Sequence, residues 1–123
     1  MKNPINWFEV PVLDMDRAKS FYEEIFQIEI KLVPMGDDLM GWFPVDPNSS
    51  GCTGTLLLNK DQKPSKSGVM IYFSVEEITD VADRIAKAGG EIVKPKFEIG
   101  EGHGFCSVFD DTEGNRLALH QNA

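Results

Sequence analysis

The sequence predicts an α+β fold built from two tandem βαβββ modules, a curved mixed sheet around a cup with the helices on its outer face. Three observations carry that prediction. A run of bulky and β-branched residues leads through an acidic turn into an amphipathic helix twice, at NWFEVPVLDMDRAKSFYEEIF and at VMIYFSVEEITDVADRIAKAGG. Each helix is followed by three further strand-like runs. The 63 positions that separate Trp7 from Met70 also separate Val12 from Val75, Gly41 from Gly104, Val45 from Val108 and Gly51 from Gly114. A register kept without a gap over that distance marks an internal duplication.

The elements follow in order. Ile5 to Val12 reads as the first strand, with Pro11 tolerated near a strand end or an unpaired edge. Asp14 or Asp16 caps the helix, whose apolar stripe is Ala18, Phe21, Tyr22, Ile25 and Phe26. Strands are predicted at Gln27 to Val33, Leu39 to Val45 and Cys52 to Leu58, with Asp46 to Gly51 as a turn by composition. The polar, lysine-bearing stretch NKDQKPSKSG has no periodicity and reads as an exposed connector. In the second half the helix stripe is Ile78, Val81, Ala82 and Ile85, stopped by Gly89 and Gly90. Strands follow at Glu91 to Lys96, Phe105 to Phe109 and Asn115 to Gln121, with Asp110 to Gly114 as the last tight turn.

At 123 residues, 41% apolar and 10% aromatic, the chain is sized for a single domain over 1–123, with modules at 1–59 and 69–123 and the connector at 60–68. A formal net charge of −8 repels polyanions, which argues against nucleic acid as a partner. No apolar run is long enough to span a bilayer, and MKNPINW has no apolar signal core, so the expectation is a cytoplasmic protein with no membrane partner. Cys52 and Cys106 form no Cys-x-x-Cys pair and read as reduced thiols with no activating base.

Side chains alternate across a strand, so one parity packs under the helices and the other lines the opposite face. Phe8, Val10, Val12, Leu56, Leu58, Ile71, Phe73, Val75, Leu117, Leu119 and Gln121 belong to the core-facing rows. The other parity holds Trp7, Glu9 and Pro11, then Thr53, Thr55 and Leu57. It continues with Met70, Tyr72 and Ser74, then Arg116, Ala118 and His120. Aromatic and apolar groups with a few convergent polar ones are the lining of a small-molecule pocket, although the same face can instead pack on a partner subunit.

The segments FEVPVLDMDRAKSFYEEIF, YFSVEEITDVADRIAKAGGEIVKPK and DDTEGNRLALHQ, taken in order, resemble the vicinal oxygen chelate superfamily of glyoxalase I, bleomycin-resistance proteins and extradiol dioxygenases. They are most similar to its group of predicted enzymes related to lactoylglutathione lyase. The resemblance covers nearly the whole chain and implies a homodimer. In metal-dependent members a His or Gln, a Glu, a second His or Gln and a second Glu hold a divalent ion. By register those places fall here on Trp7, Thr55, Met70 and Ala118, none a good ligand, so no metal or other cofactor is expected.

The resemblance therefore implies metal-free binding or sequestration of a small organic ligand. The alternatives are a metal-independent lyase or isomerase with Glu9 or His120 as base, and a metalloenzyme with ligands shifted to those two residues. A face filled by side chains in a structural homodimer also stays open. Trp7, Met70 and Tyr72 form a candidate aromatic and thioether wall, with Thr55 and Ala118 between them. Glu9 is a half-buried carboxylate paired with His120 or Arg116, or held in a salt bridge with Arg116 or a lysine. His103 lies in GEGHGF, a glycine-flanked loop expected at the cup rim, and Arg116 is an anchor for a carboxylate or phosphate.

Overall fold

A computed structural model describes residues 3–123 of the chain. Its elements are β1 (Glu9–Pro11), α1 (Met15–Phe26), β2 (Lys31–Met35), β3 (Asp38–Trp42), β4 (Thr55–Leu58), β5 (Tyr72–Ser74), α2 (Ile78–Lys87), β6 (Glu91–Glu98), β7 (Phe105–Asp110) and β8 (Arg116–Gln121). The βαβββ order occurs twice, as predicted. The strands form two four-stranded sheets of identical connectivity, β1-β4-β3-β2 and β5-β8-β7-β6. In each, the strand before the helix runs parallel to the last strand and the remaining pairs are antiparallel.

Local chemistry trims several predicted strands. β1 is short, yet its ladder extends past both ends, since Thr55 N donates to Phe8 O at 3.0 Å and Val12 N to Leu57 O at 2.9 Å. β2 starts four residues later than expected because Gln27 takes a left-handed conformation at the end of α1, with φ 54°. Ile28 N then bonds back to Glu23 O, and Ile30 N donates to Glu23 Oε2 at 2.8 Å, so the segment before Lys31 is a helix exit. β6 runs on to Glu98 with two register shifts that carry it past Pro95.

The gapless repeat needs one correction. Glu9 faces Thr55 as Tyr72 faces Ala118, and Lys31 corresponds to Lys94, all at the offset of 63. Between them, Trp42 pairs with Lys31 and Thr55 while Val108 pairs with Lys94 and Ala118. The counterpart of Trp42 is thus Val108, 66 positions on, and that of Gly41 is Ser107 rather than Gly104. Gly41 lies in β3, where an added Cβ would come within 3.0 Å of Ile30 and 3.2 Å of the Met15 sulfur, whereas Gly104 is a loop glycine at φ 91°. The β3–β4 connection is thus three residues longer than β7–β8, and β6–β7 is three residues longer than β2–β3.

The core-facing rows meet the helices in one cluster. It contains Val10, Val12, Leu56, Leu117 and Leu119 with Phe21, Tyr22, Ile25, Ile78 and Ile85, and Phe8, Ile71, Phe73 and Val75 pack against it. Aromatic rings join the halves, with Phe73 at 4.8 Å from Phe26, 5.8 Å from Phe8 and 5.7 Å from Phe43. A polar clasp joins them as well. The Tyr22 hydroxyl donates to Asp111 at 2.7 Å, and Glu113 accepts from Leu13 N, Asp14 N and the Arg17 guanidinium at 2.9, 2.8 and 2.7 Å. No helix among the described residues is long and apolar enough to cross a membrane.

Candidate functional site

Strand register sets the face opposite the core. Glu9, Thr55, Trp42 and Lys31 form one row across the first sheet, and Pro11, Leu57, Met40 and Val33 form the next. In the second sheet the corresponding rows are Tyr72, Ala118, Val108 and Lys94, then Ser74, His120 and Cys106. Thr55 and Ala118 are fully buried because each sits in an inner strand between two neighbours. Trp7 is half-buried and meets Trp42 edge-on, with ring centroids 5.0 Å apart and an interplanar angle of 66°. Thr55 Oγ1 and Trp42 Nε1 are closed off from solvent, and neither has a hydrogen-bond partner.

Glu9 is exposed, not half-buried as expected, because β1 is the outer strand of its sheet and shields its side chain from one side only. It forms no ion pair with a described residue. Arg116 lines the same cleft of about 220 Å³ as Glu9, but its guanidinium is taken by Asp110, at 2.8 and 3.1 Å. That bond, more than the opposing effect of burial, holds the Asp110 carboxyl below its ordinary value, with Lys66 adding at 3.3 Å. The expected Glu9–Arg116 pair is therefore replaced by Asp110–Arg116.

His120 and His103 come together. A ring nitrogen of His120, Nε2, lies 2.8 Å from the backbone carbonyl of His103. The glycine-rich segment around His103 is a closed turn, with His103 N bonded to Gly100 O at 3.0 Å and Ile99 N to Gly104 O at 2.9 Å. No hydrogen bond among the described residues joins Glu9 to His120. Met70 and Tyr72, 37% and 59% exposed, line a cleft of about 460 Å³ with Ile5, Phe8, Phe43 and Cys52. A cleft of similar size, about 470 Å³, lies against Phe26, Phe73, Val75 and Val81. Phe26 and Ile28 of the first half face β5 and α2 residues of the second across it, so it is a gap between the halves. Burial raises the Cys106 thiol above its ordinary value, the direction that disfavours the thiolate.

Two residues that shape this face and its scaffold escaped the sequence reading. Trp42 lay inside a predicted strand, and the alternation of Met40 and Trp42 against Gly41 was the signal that placed it opposite the core. Glu113 lay in a turn, and nothing local in DDTEG announces a partner about a hundred residues away.

A family model described as the Glyoxalase/Bleomycin resistance protein/Dioxygenase superfamily matches residues 4–119. The chain belongs to that superfamily. A glyoxylase-like domain-containing protein from Didymella fabae is 25% identical over 118 residues, 94% of this chain and 91% of that protein. Two mycobacterial relatives are 25% identical over 131 residues, and the chain spans 44% of their length. Among solved structures, TnmS3, an antibiotic binding protein from Streptomyces sp. CB03234, superposes with a TM-score of 0.74 at 22% identity, covering 100% of this chain and 99% of that one. FosX, the genomically encoded fosfomycin resistance protein of Listeria monocytogenes, superposes at 0.73 with 19% identity, covering 100% and 93%.

The side chains that this member of the superfamily carries at the four carried-over ligand places do not fit a divalent cation. An indole and a methyl group offer no usable lone pair, a neutral hydroxyl is a weak donor and a thioether is too soft. Among the described residues no three His, Cys, Asp or Glu side chains gather where they could hold an ion.

Proposed function

We propose that the concave face binds or sequesters a small organic ligand without a metal ion. The observation that carries this reading is the set of side chains at the four ligand places, where Trp7, Thr55, Met70 and Ala118 supply apolar and weakly donating surface. In the first sheet Trp42, Leu57 and Met40 lie beside Trp7 and Thr55 and make a wall suited to an apolar or planar molecule. An antibiotic binding protein and a fosfomycin resistance protein on the same fold support a ligand of that scale.

A metal-independent lyase or isomerase is the second reading. The contact between His120 and the His103 carbonyl favours it, because a ring that donates there from Nε2 keeps Nδ1 free as a base. We further infer a homodimer that covers Ile5 and Val69, 65% and 88% exposed. The free thiols of Cys52 and Cys106 support a cytoplasmic setting.

Native mass spectrometry of protein purified from cells tests the proposal. The expected result is an organic mass adduct that dissociates on denaturation and is lost in Trp7→Ala. A ligand-free protein that gives no hit in a thermal-shift screen, with the face closed by side chains in a crystal, would contradict it.

A further inference from the structure

Thr55 and Trp42 face each other across the β3–β4 pair, and both carry a buried polar atom without a partner. Buried hydroxyl and indole N–H groups nearly always find one, so two orphans on facing residues mark an unmet demand for an acceptor. The indole N–H can only donate, and the Thr55 hydroxyl can donate as well. Trp7 closes this corner by lying edge-on against Trp42.

Resting on the cup-binding reading above, we propose that Thr55 Oγ1 and Trp42 Nε1 are paired donors for the neutral carbonyl oxygen of a flat aromatic ligand, admitted when Trp7 turns off Trp42. Charge selects the class. The row is flanked by Glu9 beside Thr55 and Lys31 beside Trp42, one charge of each sign, and both are exposed. A carboxylate would enter a buried corner next to Glu9, in a chain of net charge −8, with the one cation of the row, Lys31, held out in solvent. A ketone or amide oxygen accepts two hydrogen bonds without that cost. Two indoles and the buried Leu57 and Met40 of the next row supply flat and apolar walls for the rest of the molecule.

Titration calorimetry with 9-fluorenone, fluorene and fluorene-9-carboxylate tests the assignment, since the first two differ only in the carbonyl. Trp7 and Trp42 are the only tryptophans of the chain, so intrinsic fluorescence reports the same corner. Wild-type protein is expected to bind fluorenone about tenfold more tightly than fluorene. In Thr55→Val, and further in Thr55→Val with Trp42→Phe, that preference falls to about twofold or less, the loss of the Trp42 wall weakening both ligands alike. Equal affinity for the first two in wild type, or a preference that survives both substitutions, would overturn the assignment and leave the cup reading standing. Tightest binding of the carboxylate would overturn the ligand class. No binding of any of the three would count against both.

Discussion

The connections Asp111–Asn115 and Phe43–Gly54 close equivalent hairpins in the two halves, and they treat the neighbouring helix in opposite ways. In the second half the short turn reaches across to α1. Asp111 gathers the backbone N–H groups of Glu113, Gly114 and Asn115 at 2.8 to 3.0 Å, and Asn115 Nδ2 donates to Pro11 O at 2.8 Å. Glu113 then caps the start of α1 from 99 and 100 residues away. In the longer first-half loop Ser50 is exposed and lines the clefts around Cys52. Both helices have a local cap, Asp14 for α1, with Arg17 N at 3.0 Å, and Glu77 for α2, with Thr79 N at 3.2 Å; the further bond at the start of α2, Gln121 Oε1 on Ile78 N at 2.8 Å, comes from its own half. One hairpin fastens the halves together and the other leaves open surface beside β5. Duplication repeats the scaffold, and divergence in loop length divides the labour between rigidity and access.

Breaking the clasp is the largest expected effect. Glu113→Ala strands two partly buried backbone N–H groups, while the half-exposed Arg17 turns to solvent, and should cost about 2 kcal/mol in chemical denaturation, against about 0.5 kcal/mol or less for Ser50→Ala. Equal effects would mean that the hairpins are equivalent after all. Tyr22→Phe, which deprives buried Asp111 of its hydroxyl donor, should cost about 1 to 2 kcal/mol.

Acid should sharpen the same contrast. Burial pushes the Glu113 carboxyl up, but the hydrogen bonds from Arg17, Asp14, Leu13 and Thr112 together outweigh it and hold the group below its ordinary value. A carboxyl whose folded pKa is depressed stabilises the fold above its unfolded value, about 4.3 for Glu, and loses that stabilisation as pH falls through the lower folded value. Glu113→Gln should therefore flatten the acid limb of a stability profile below about pH 4.3. Glu77 is also held below its ordinary value, first by Lys96 and then by Thr79 N, yet it is solvated, and Glu77→Gln should barely move the denaturation midpoint.

The helices, the repeated order and the core-facing rows were legible because periodicity records burial directly. Phe21, Tyr22, Ile25, Ile78 and Ile85 fall where the stripes put them, and Val10, Leu56, Leu117 and Leu119 where alternation does. The strand ends were not, because nothing in the residues around Gln27 marks the left-handed turn that ends α1 there. The shift of β3 against β7 hid behind glycines that coincide in the sequence and differ in role. At the site, parity gave the inward row, including Thr55 and Ala118. It could not tell that an edge strand leaves Glu9 exposed, or that Arg116 prefers Asp110 six residues before it. Such choices depend on which partner lies within reach in space.

The most direct measurement is calorimetric titration of the purified chain with nickel, zinc and manganese. The account predicts no saturable binding tighter than about 1 mM. A stoichiometric, micromolar site, abolished by Glu9→Gln or His120→Ala, would contradict it.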